Sequence, residues 1–480
     1  MYDYVIIGAG IIGTNIAREL SQYKAKIMIL EKENDAANHQ TVANSAIIHS
    51  GHDPKENTLK AKLCVEGNAL YEIMEKELNI PLLRTGAFVV AHDKDEEIML
   101  DALYERAIRN GVKEILFHDK NQAYRMEPNL ADDITKVLSL PSTKVTYPWE
   151  VAFACLENAM HNGVIFKKNS EVTNITKQNN IFNVEINNNE IIKTKAVISA
   201  AGVFSDQIAY LLEKNVPYQI YPRKGEYFVL DRKAKGFVNH VIYPLPTSKG
   251  KGVLIIPQVH GNILLGPTSN RQDEKDLVSN TRGGLNQIKE DLHSLVKNIP
   301  FHLIIRTFAG IRASSSFDDF YIKESKEYTN FFHVAGIDSP GLTAAPAIAR
   351  YVVNEVLKQH NLQKKSDYDP IRPKPIVFYN LDFEQQQKLI KKDSKYGNLV
   401  CKCEKITEAE IIEAIHGPLG NDTIKGIKKR VRAGSGLCQG GYCEETVLKI
   451  IARETDQPIN KINYYALDTP ILVQETKVKP

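Results

Sequence analysis

Three glycines, one acid and four cysteines are spaced for chemistry. Gly8-Ala9-Gly10-Ile11-Ile12-Gly13 is a GxGxxG run. It sits between a short apolar stretch, Tyr4-Val5-Ile6-Ile7, and a segment with helical spacing of Ile16, Ala17 and Leu20. Gly8 permits a tight turn, Gly10 lets a pyrophosphate approach the backbone at a helix N-terminus, and Gly13 lets helix and strand pack closely. Glu31 follows Gly13 by eighteen residues, at the end of Lys26-Ile27-Met28-Ile29-Leu30, where a carboxylate can accept from ribose hydroxyls. This fingerprint fits either FAD or NAD. Far downstream, Cys401-Lys402-Cys403 and Cys438-Gln439-Gly440-Gly441-Tyr442-Cys443 bring four thiols into a short stretch. Four thiolates suit a [2Fe–2S] cluster or a structural zinc, and the single-residue gap at Cys401 and Cys403 is short for zinc.

The elements that must position these groups are readable in outline. Strand, GxGxxG helix and second strand make a βαβ unit of ordinary length. Spacing predicts helices over 59–78, 148–162 and 345–359, and strands over 86–91, 196–202 and 331–335. Short strands such as 227–230 and 252–256 predict an antiparallel sheet between 218 and 332. The chain has 480 residues, 43% of them hydrophobic and 25% charged, which excludes a disordered, collagen-like or coiled-coil protein. A net charge of +3 is too balanced for nucleic-acid binding by bulk charge. No apolar run reaches the ~18 residues of a membrane span, and Met1-Tyr2-Asp3-Tyr4 has no basic n-region of a signal peptide. The expectation is a cytoplasmic protein with no integral membrane segment.

Further residues separate FAD from NAD. The stretches Ala43-Asn44-Ser45-Ala46-Ile47-Ile48-His49-Ser50-Gly51, Ile198-Ser199-Ala200-Ala201-Gly202, Pro222-Arg223-Lys224-Gly225-Glu226-Tyr227, Ala309-Gly310-Ile311-Arg312 and Ala335-Gly336-Ile337-Asp338-Ser339-Pro340-Gly341-Leu342-Thr343 resemble the FAD-dependent oxidoreductases of the D-amino-acid-oxidase/glycerol-3-phosphate-dehydrogenase superfamily. The likeness runs from residue 1 to about 360. It is nearest to soluble glycerol-3-phosphate dehydrogenases and oxidases and to L-2-hydroxyglutarate dehydrogenases. The resemblance implies an α/β fold with a Rossmann-type FAD-binding domain over about 1–80, 145–215 and 330–360. Interleaved with it would be an antiparallel-sheet substrate domain over about 81–144 and 216–329. It places Gly8, Gly10, Ile11, Gly13, Glu31, Lys32, Thr41, Asn44, Ser45, Ala201, Gly202, Gly336, Ile337, Ser339, Gly341, Leu342 and Thr343 at the FAD. One departure stands out: Asn38-His39-Gln40-Thr41 replaces the relatives' Gly followed by Ser or Thr. Thr41 is then expected to supply the hydroxyl facing the diphosphate.

For the reaction, the resemblance implies His49 as the base, with nearby His52 a weaker alternative. Arg312 would hold the substrate anion, and Ser339 would donate to that anion or to the substrate hydroxyl. Lys249, in Ser248-Lys249-Gly250-Lys251, would make a further substrate contact. Arg432-Ala433-Gly434-Ser435-Gly436-Leu437-Cys438-Gln439-Gly440 resembles [2Fe–2S] domains of the bacterioferritin-associated-ferredoxin type. This implies Cys401, Cys403, Cys438 and Cys443 as cluster ligands in a small helical module over 395–455. A proline- and lysine-bearing linker over 361–394 would precede it, and a tail over 456–480 would follow. Cys64 and Cys155 are expected to be inert core residues. Together these imply an FAD-dependent dehydrogenase that oxidises a small anionic alcohol, with electrons leaving through the cluster to a redox protein or subunit. Glycerol 3-phosphate is preferred over L-2-hydroxyglutarate or another 2-hydroxy acid. A non-catalytic flavin/iron–sulfur redox sensor is the alternative of a different class.

Overall fold

The computed structural model describes residues 1–246 and 252–474, so Lys249 lies outside the described residues. The chain forms two compact units: Met1–Lys32 with Ala36–Arg372, and Pro373–Pro480 with the short Glu33–Asp35 stretch.

The first unit is built on two large sheets. Tyr2–Ile7 ends in four consecutive buried residues, as a strand covered on both faces requires. It lies between Ile27–Leu30 and Glu190–Ser199, parallel to both, with Ile7 opposite Leu30 and Ser199. Ile165–Lys167 and Phe331–Ala335 continue the parallel order on either side. Gly8, Glu31, Ala200 and Gly336 therefore all leave the same edge of this sheet. The carboxyl ends of parallel strands are where open α/β sheets hold ligands. The hairpin Val172–Gln178/Ile181–Ile186 extends the sheet through a turn in which Asn179 and Asn180 both have positive φ. Asparagine tolerates that geometry well.

The second sheet of this unit is almost wholly antiparallel. Its longest pairing joins Ile220–Leu230 to Ile304–Ser315 over the full length of the former. One pair departs from expectation: Val241–Tyr243 runs parallel to Ala87–Ala91. These strands come from separate passages of the chain into the sheet, so no hairpin forces them antiparallel. Phe88, Phe228, Ile242 and Leu265 form part of the core on one side.

Two helices frame the future site. Leu59–Leu78 is N-capped by the Thr58 hydroxyl, which accepts from the Ala61 N–H, and it stops at Asn79 with φ +53°. The other helix starts earlier than expected, at Gly341, and runs to Tyr351 with Pro346 inside it. Proline normally marks a first turn, because it has no N–H to give the carbonyl four residues back. Here the Tyr71 hydroxyl donates to that carbonyl, Leu342 O, at 2.8 Å, and the helix continues. A π turn at Val352–Val356 follows, where regular α-helix had been expected to reach residue 359.

In the second unit, the stretch expected as a linker includes the helix Phe383–Lys392, with a reciprocal Asp382–Gln385 capping box. A two-stranded pair, Leu399–Cys401 with Ile406–Thr407, precedes helices Glu408–His416, Ile424–Val431 and Glu444–Thr455. Their apolar faces share a core with Ile411, Ile427 and Ile451 fully buried. The chain beyond 455 closes this core. Ile462 is buried in it, and Asn463 and Tyr464 accept from the Ile424 and Lys425 N–H groups at 3.3 and 2.9 Å.

The close approach of the two framing helices gives a test. A Cβ on Gly67 would lie 2.0 Å from Thr343 O. Helix propensity alone favours Gly67→Ala by up to ~1 kcal/mol. Forcing atoms into a packed contact costs about 1–3 kcal/mol. The clash should win, and the urea unfolding midpoint of Gly67→Ala should fall. A raised midpoint would mean that the helices are not packed this closely.

Candidate functional site

A cavity of about 1580 Å³ opens at the strand ends of the first unit. At one end Gly8, Gly10, Ile11, Glu31 and Lys32 line it, with Ala201 and Gly202 close by in the wall. Gly8 has φ +102°, and a Cβ there would lie 2.6 Å from Ala200 O. Gly13 does not line the cavity; its missing side chain lets the helix press on Gly8 O, which a Cβ would meet at 1.9 Å. The Glu31 carboxylate accepts the Ala9 N–H at 2.8 Å, which fixes the acid beside the glycine turn. Asn38 to Thr41, the unusual segment, folds into a short 3₁₀ turn from Gln40 to Val42. Thr41 Oγ1 accepts the Ile11 N–H at 2.9 Å and faces the cavity. The hydroxyl thus stands at a helix N-terminus, where N–H groups and dipole favour an anion. His39 also lines the wall, and burial lowers its pKa to about 4, so it is neutral at pH 7. Bare glycine backbone, a hydroxyl at the helix start and a tethered carboxylate fit the diphosphate and ribose of FAD.

At the other end lie Ser45, His49, Arg312 and Ser339, with Asn44, Ile337, Gly341 and Leu342 in the same wall. His49 is held by its backbone. Its N–H donates to Thr343 Oγ1 at 2.9 Å, and its carbonyl accepts from Asn68 Nδ2 at 2.9 Å. Its Nδ1 meets the Tyr243 hydroxyl at 3.1 Å. Burial pushes the Tyr243 hydroxyl well above its ordinary range, so it stays protonated. Arg312 donates from both terminal nitrogens to Thr268 O at 3.2 and 3.3 Å. Tyr227 links Arg312 to the Ser45 hydroxyl, which lies 3.0 Å from the tyrosine oxygen. Gly310 lets this strand approach the Ser45 loop, since a Cβ there would fall 1.8 Å from Ala43 O.

Some expected residues stand behind the wall. Thr343 is fully buried, with its hydroxyl donating to Ile47 O at 3.3 Å while accepting from His49. Gly336 turns the chain at φ +65°. His52 is not part of the cavity lining; its Nδ1 meets the Ser50 hydroxyl at 3.0 Å. Cys64 and Cys155 are buried free thiols, and burial pushes Cys155 up to about 12. Tyr243 and His39 were missed by sequence reasoning. Tyr243 looks like any strand aromatic, and only its partner across 194 residues reveals it.

In the second unit the four cysteines stand as two pairs. Cys401 is hydrogen-bonded to Cys443, and the Cys403 and Cys438 sulfurs lie 3.8 Å apart. The hydrogen bond from Cys443 pulls the Cys401 thiol below its ordinary range. Two thiol pairs suit two irons better than one tetrahedral zinc. Gly436 lets the Cys438 turn approach, as a Cβ there would sit 2.5 Å from Cys403 Cβ. Of the basic residues around the module, Lys429 and Arg430 pair with Asp35, and Arg432 pairs with Glu404. Lys402 and Lys405 are exposed. Cys438→Ser should abolish the iron–sulfur absorbance and leave the flavin content near one per chain. In the unmodified protein, iron and sulfide at about two each per chain are expected; one zinc per chain would overturn the assignment.

Comparison with known proteins agrees with both cofactors. Residues 3–355 match the FAD dependent oxidoreductase family, and residues 399–453 match the BFD-like [2Fe-2S] binding domain. The chain is 41% identical over 479 residues to a glycerol 3-phosphate dehydrogenase of Caloramator mitchellensis, covering 99% of both. The dithionite-reduced L-alpha-glycerophosphate oxidase of Mycoplasma pneumoniae with FAD bound superposes with a TM-score of 0.75 at 31% identity. That match covers 78% of this chain and 99% of the oxidase. The mitochondrial L-2-hydroxyglutarate dehydrogenase of Bos taurus is 29% identical, over 75% of this chain and 90% of its own length. The chain belongs to the FAD dependent oxidoreductase family, and its C-terminal part is a BFD-like [2Fe-2S] binding domain.

Proposed function

We propose that this protein is a dehydrogenase that oxidises sn-glycerol 3-phosphate to dihydroxyacetone phosphate. The observation that carries the reading is the 41% identity to a glycerol 3-phosphate dehydrogenase, which extends across the cluster-binding part as well as the flavin part. Bound FAD supplies the hydride acceptor, and the [2Fe–2S] cluster supplies a one-electron outlet.

The chain's own residues do the rest. Oxidation of a secondary alcohol removes a hydride from carbon and a proton from oxygen. His49 takes that proton at Nε2. To do so its neutral ring must carry hydrogen on Nδ1 and donate it to the Tyr243 oxygen, 3.1 Å away. The buried, protonated Tyr243 hydroxyl is a suitable acceptor, and it holds the ring in one orientation. Arg312 holds the substrate phosphate through its guanidinium, already aimed by Thr268 O. Ser339 donates to the anion or the substrate hydroxyl. The glycines and Thr41 at the helix start hold the FAD diphosphate, and Glu31 holds the ribose.

Electrons then pass to a redox protein or subunit. None of the six cysteines forms a disulfide, which suits the reducing cytoplasm. No helix among the described residues is long and apolar enough to cross a membrane.

Anaerobic mixing tests the reading. sn-Glycerol 3-phosphate should bleach the flavin faster than L-2-hydroxyglutarate or any amino acid. Faster bleaching by L-2-hydroxyglutarate would reassign the substrate, and no turnover with any artificial acceptor would leave a redox sensor. His49→Ala should slow flavin reduction by about 10²–10⁴-fold with FAD still bound, the usual worth of a general base. Tyr243→Phe should slow it less and displace the pH profile, because the ring loses its Nδ1 partner but keeps its nitrogens.

A further inference from the structure

Three arginines stand abreast across the second sheet of the flavin-binding unit. Arg223 lies directly opposite Arg312 on one neighbouring strand and opposite Arg271 on the other. Residues opposite each other in an antiparallel ladder project from the same face, about 4.5–5.5 Å apart at Cβ. All three line the cavity. Gly225, two residues along on the same face, leaves room for Arg312; a Cβ there would come 2.9 Å from its Nη2.

Like charges in this relation repel and destabilise the pair of strands. Among the described residues no carboxylate forms a salt bridge with any of the three. Arg271 is exposed and stacks on the Tyr221 ring at 4.2 Å, which accounts for its cation at the rim. Arg223 is different. It is half-buried, and its Nε is shut off from solvent with no hydrogen-bond partner. A buried donor left unmade costs free energy, and a charged one more so. An anion arriving in the cavity would match the Arg223 charge and relieve the repulsion with Arg312.

Charge decides which anion. Two guanidiniums side by side match two negative charges. A phosphate monoester supplies these above its second ionisation, near pH ~6. A carboxylate group brings only one charge to that point, and the second carboxylate of L-2-hydroxyglutarate lies at the far end of its five-carbon chain. We propose that Arg223 joins Arg312 in holding the phosphate dianion of the substrate, and that this pair selects phosphate monoesters over hydroxy acids; the inference rests on the glycerol 3-phosphate reading above. The FAD diphosphate offers the same phosphoryl oxygens, so the experiment must separate the two sources.

The test uses the full-length protein carrying FAD and cluster, with inorganic phosphate as the probe. Phosphate binding is read from the perturbation of flavin absorbance, without turnover. In Arg223→Gln, the Kd for phosphate and the KM for glycerol 3-phosphate should both rise about tenfold to hundredfold, the worth of one hydrogen-bonded charge. The fall in kcat should be smaller than the rise in KM. For the unmodified protein, KM should rise as pH drops from about 7.5 to about 5.5, because the phosphate loses its second charge. Arg223→Gln should flatten that dependence. Should Arg223→Gln not fold, Arg223→Met keeps the buried stem and serves the same measurements.

An unchanged phosphate Kd in the variant overturns the proposal. So does loss of FAD from a folded variant whose phosphate affinity survives reconstitution, which would assign Arg223 to the cofactor. If glycerol 3-phosphate fails to reduce the unmodified enzyme, the proposed reaction fails; the phosphate titration still reports separately on Arg223.

Discussion

The hydrogen bond from the His49 backbone N–H to the Thr343 hydroxyl joins segments 294 residues apart. Much of the site's geometry depends on it. Thr343 belongs to the first turn of the helix that begins at Gly341, so the bond ties the candidate base to that helix start. The threonine carbonyl presses on Gly67, and its hydroxyl also reaches Ile47 O. Position 343 therefore brings together a strand, a loop and two helices. A valine there would keep the shape but leave the His49 N–H buried without a partner, which costs about 1–3 kcal/mol.

Much of this was legible in the sequence, for physical reasons that differ by residue. The GxGxxG turn and Glu31 are local in the chain, and their roles follow from backbone geometry within thirty residues. The helix Leu59–Leu78 could be bounded from its apolar spacing. The four cysteines announce themselves by type. Tyr243, Arg223 and His39 could not be read this way. Each is an ordinary residue for its element, and its importance comes from a partner, or a missing partner, that only tertiary packing supplies. The helix start at Gly341 was misjudged for a related reason. Pro346 is a local stop signal, and a distant hydroxyl overrides it.

The two ends of the cavity handle charge in opposite ways. At the dinucleotide end, negative charge meets backbone N–H groups and a helix dipole, with a neutral His39 beside them. At the other end, neutral buried tyrosines flank a histidine and a row of guanidiniums. Water is a poor competitor in such a wall, so hydrogen bonds to charged groups there are worth more than on the surface. In the second unit the low value at Cys401 has another origin. One thiol donates to its neighbour and lowers that neighbour's cost of ionising.

Tyr71 and Pro346 form a unit whose halves lie 275 residues apart. The proline leaves Leu342 O without its helical donor, and the tyrosine supplies one from a different helix. Neither residue is well placed alone. With alanine at 346, the restored backbone N–H would compete with the tyrosine for the same carbonyl. With phenylalanine at 71, the carbonyl would be left buried and unmet. Descent should therefore treat the two positions as one character. A lineage that replaces the proline is released from keeping the hydroxyl, while one that loses the hydroxyl first passes through a less stable ancestor. The order of substitution along such a lineage is thus set by a single hydrogen bond.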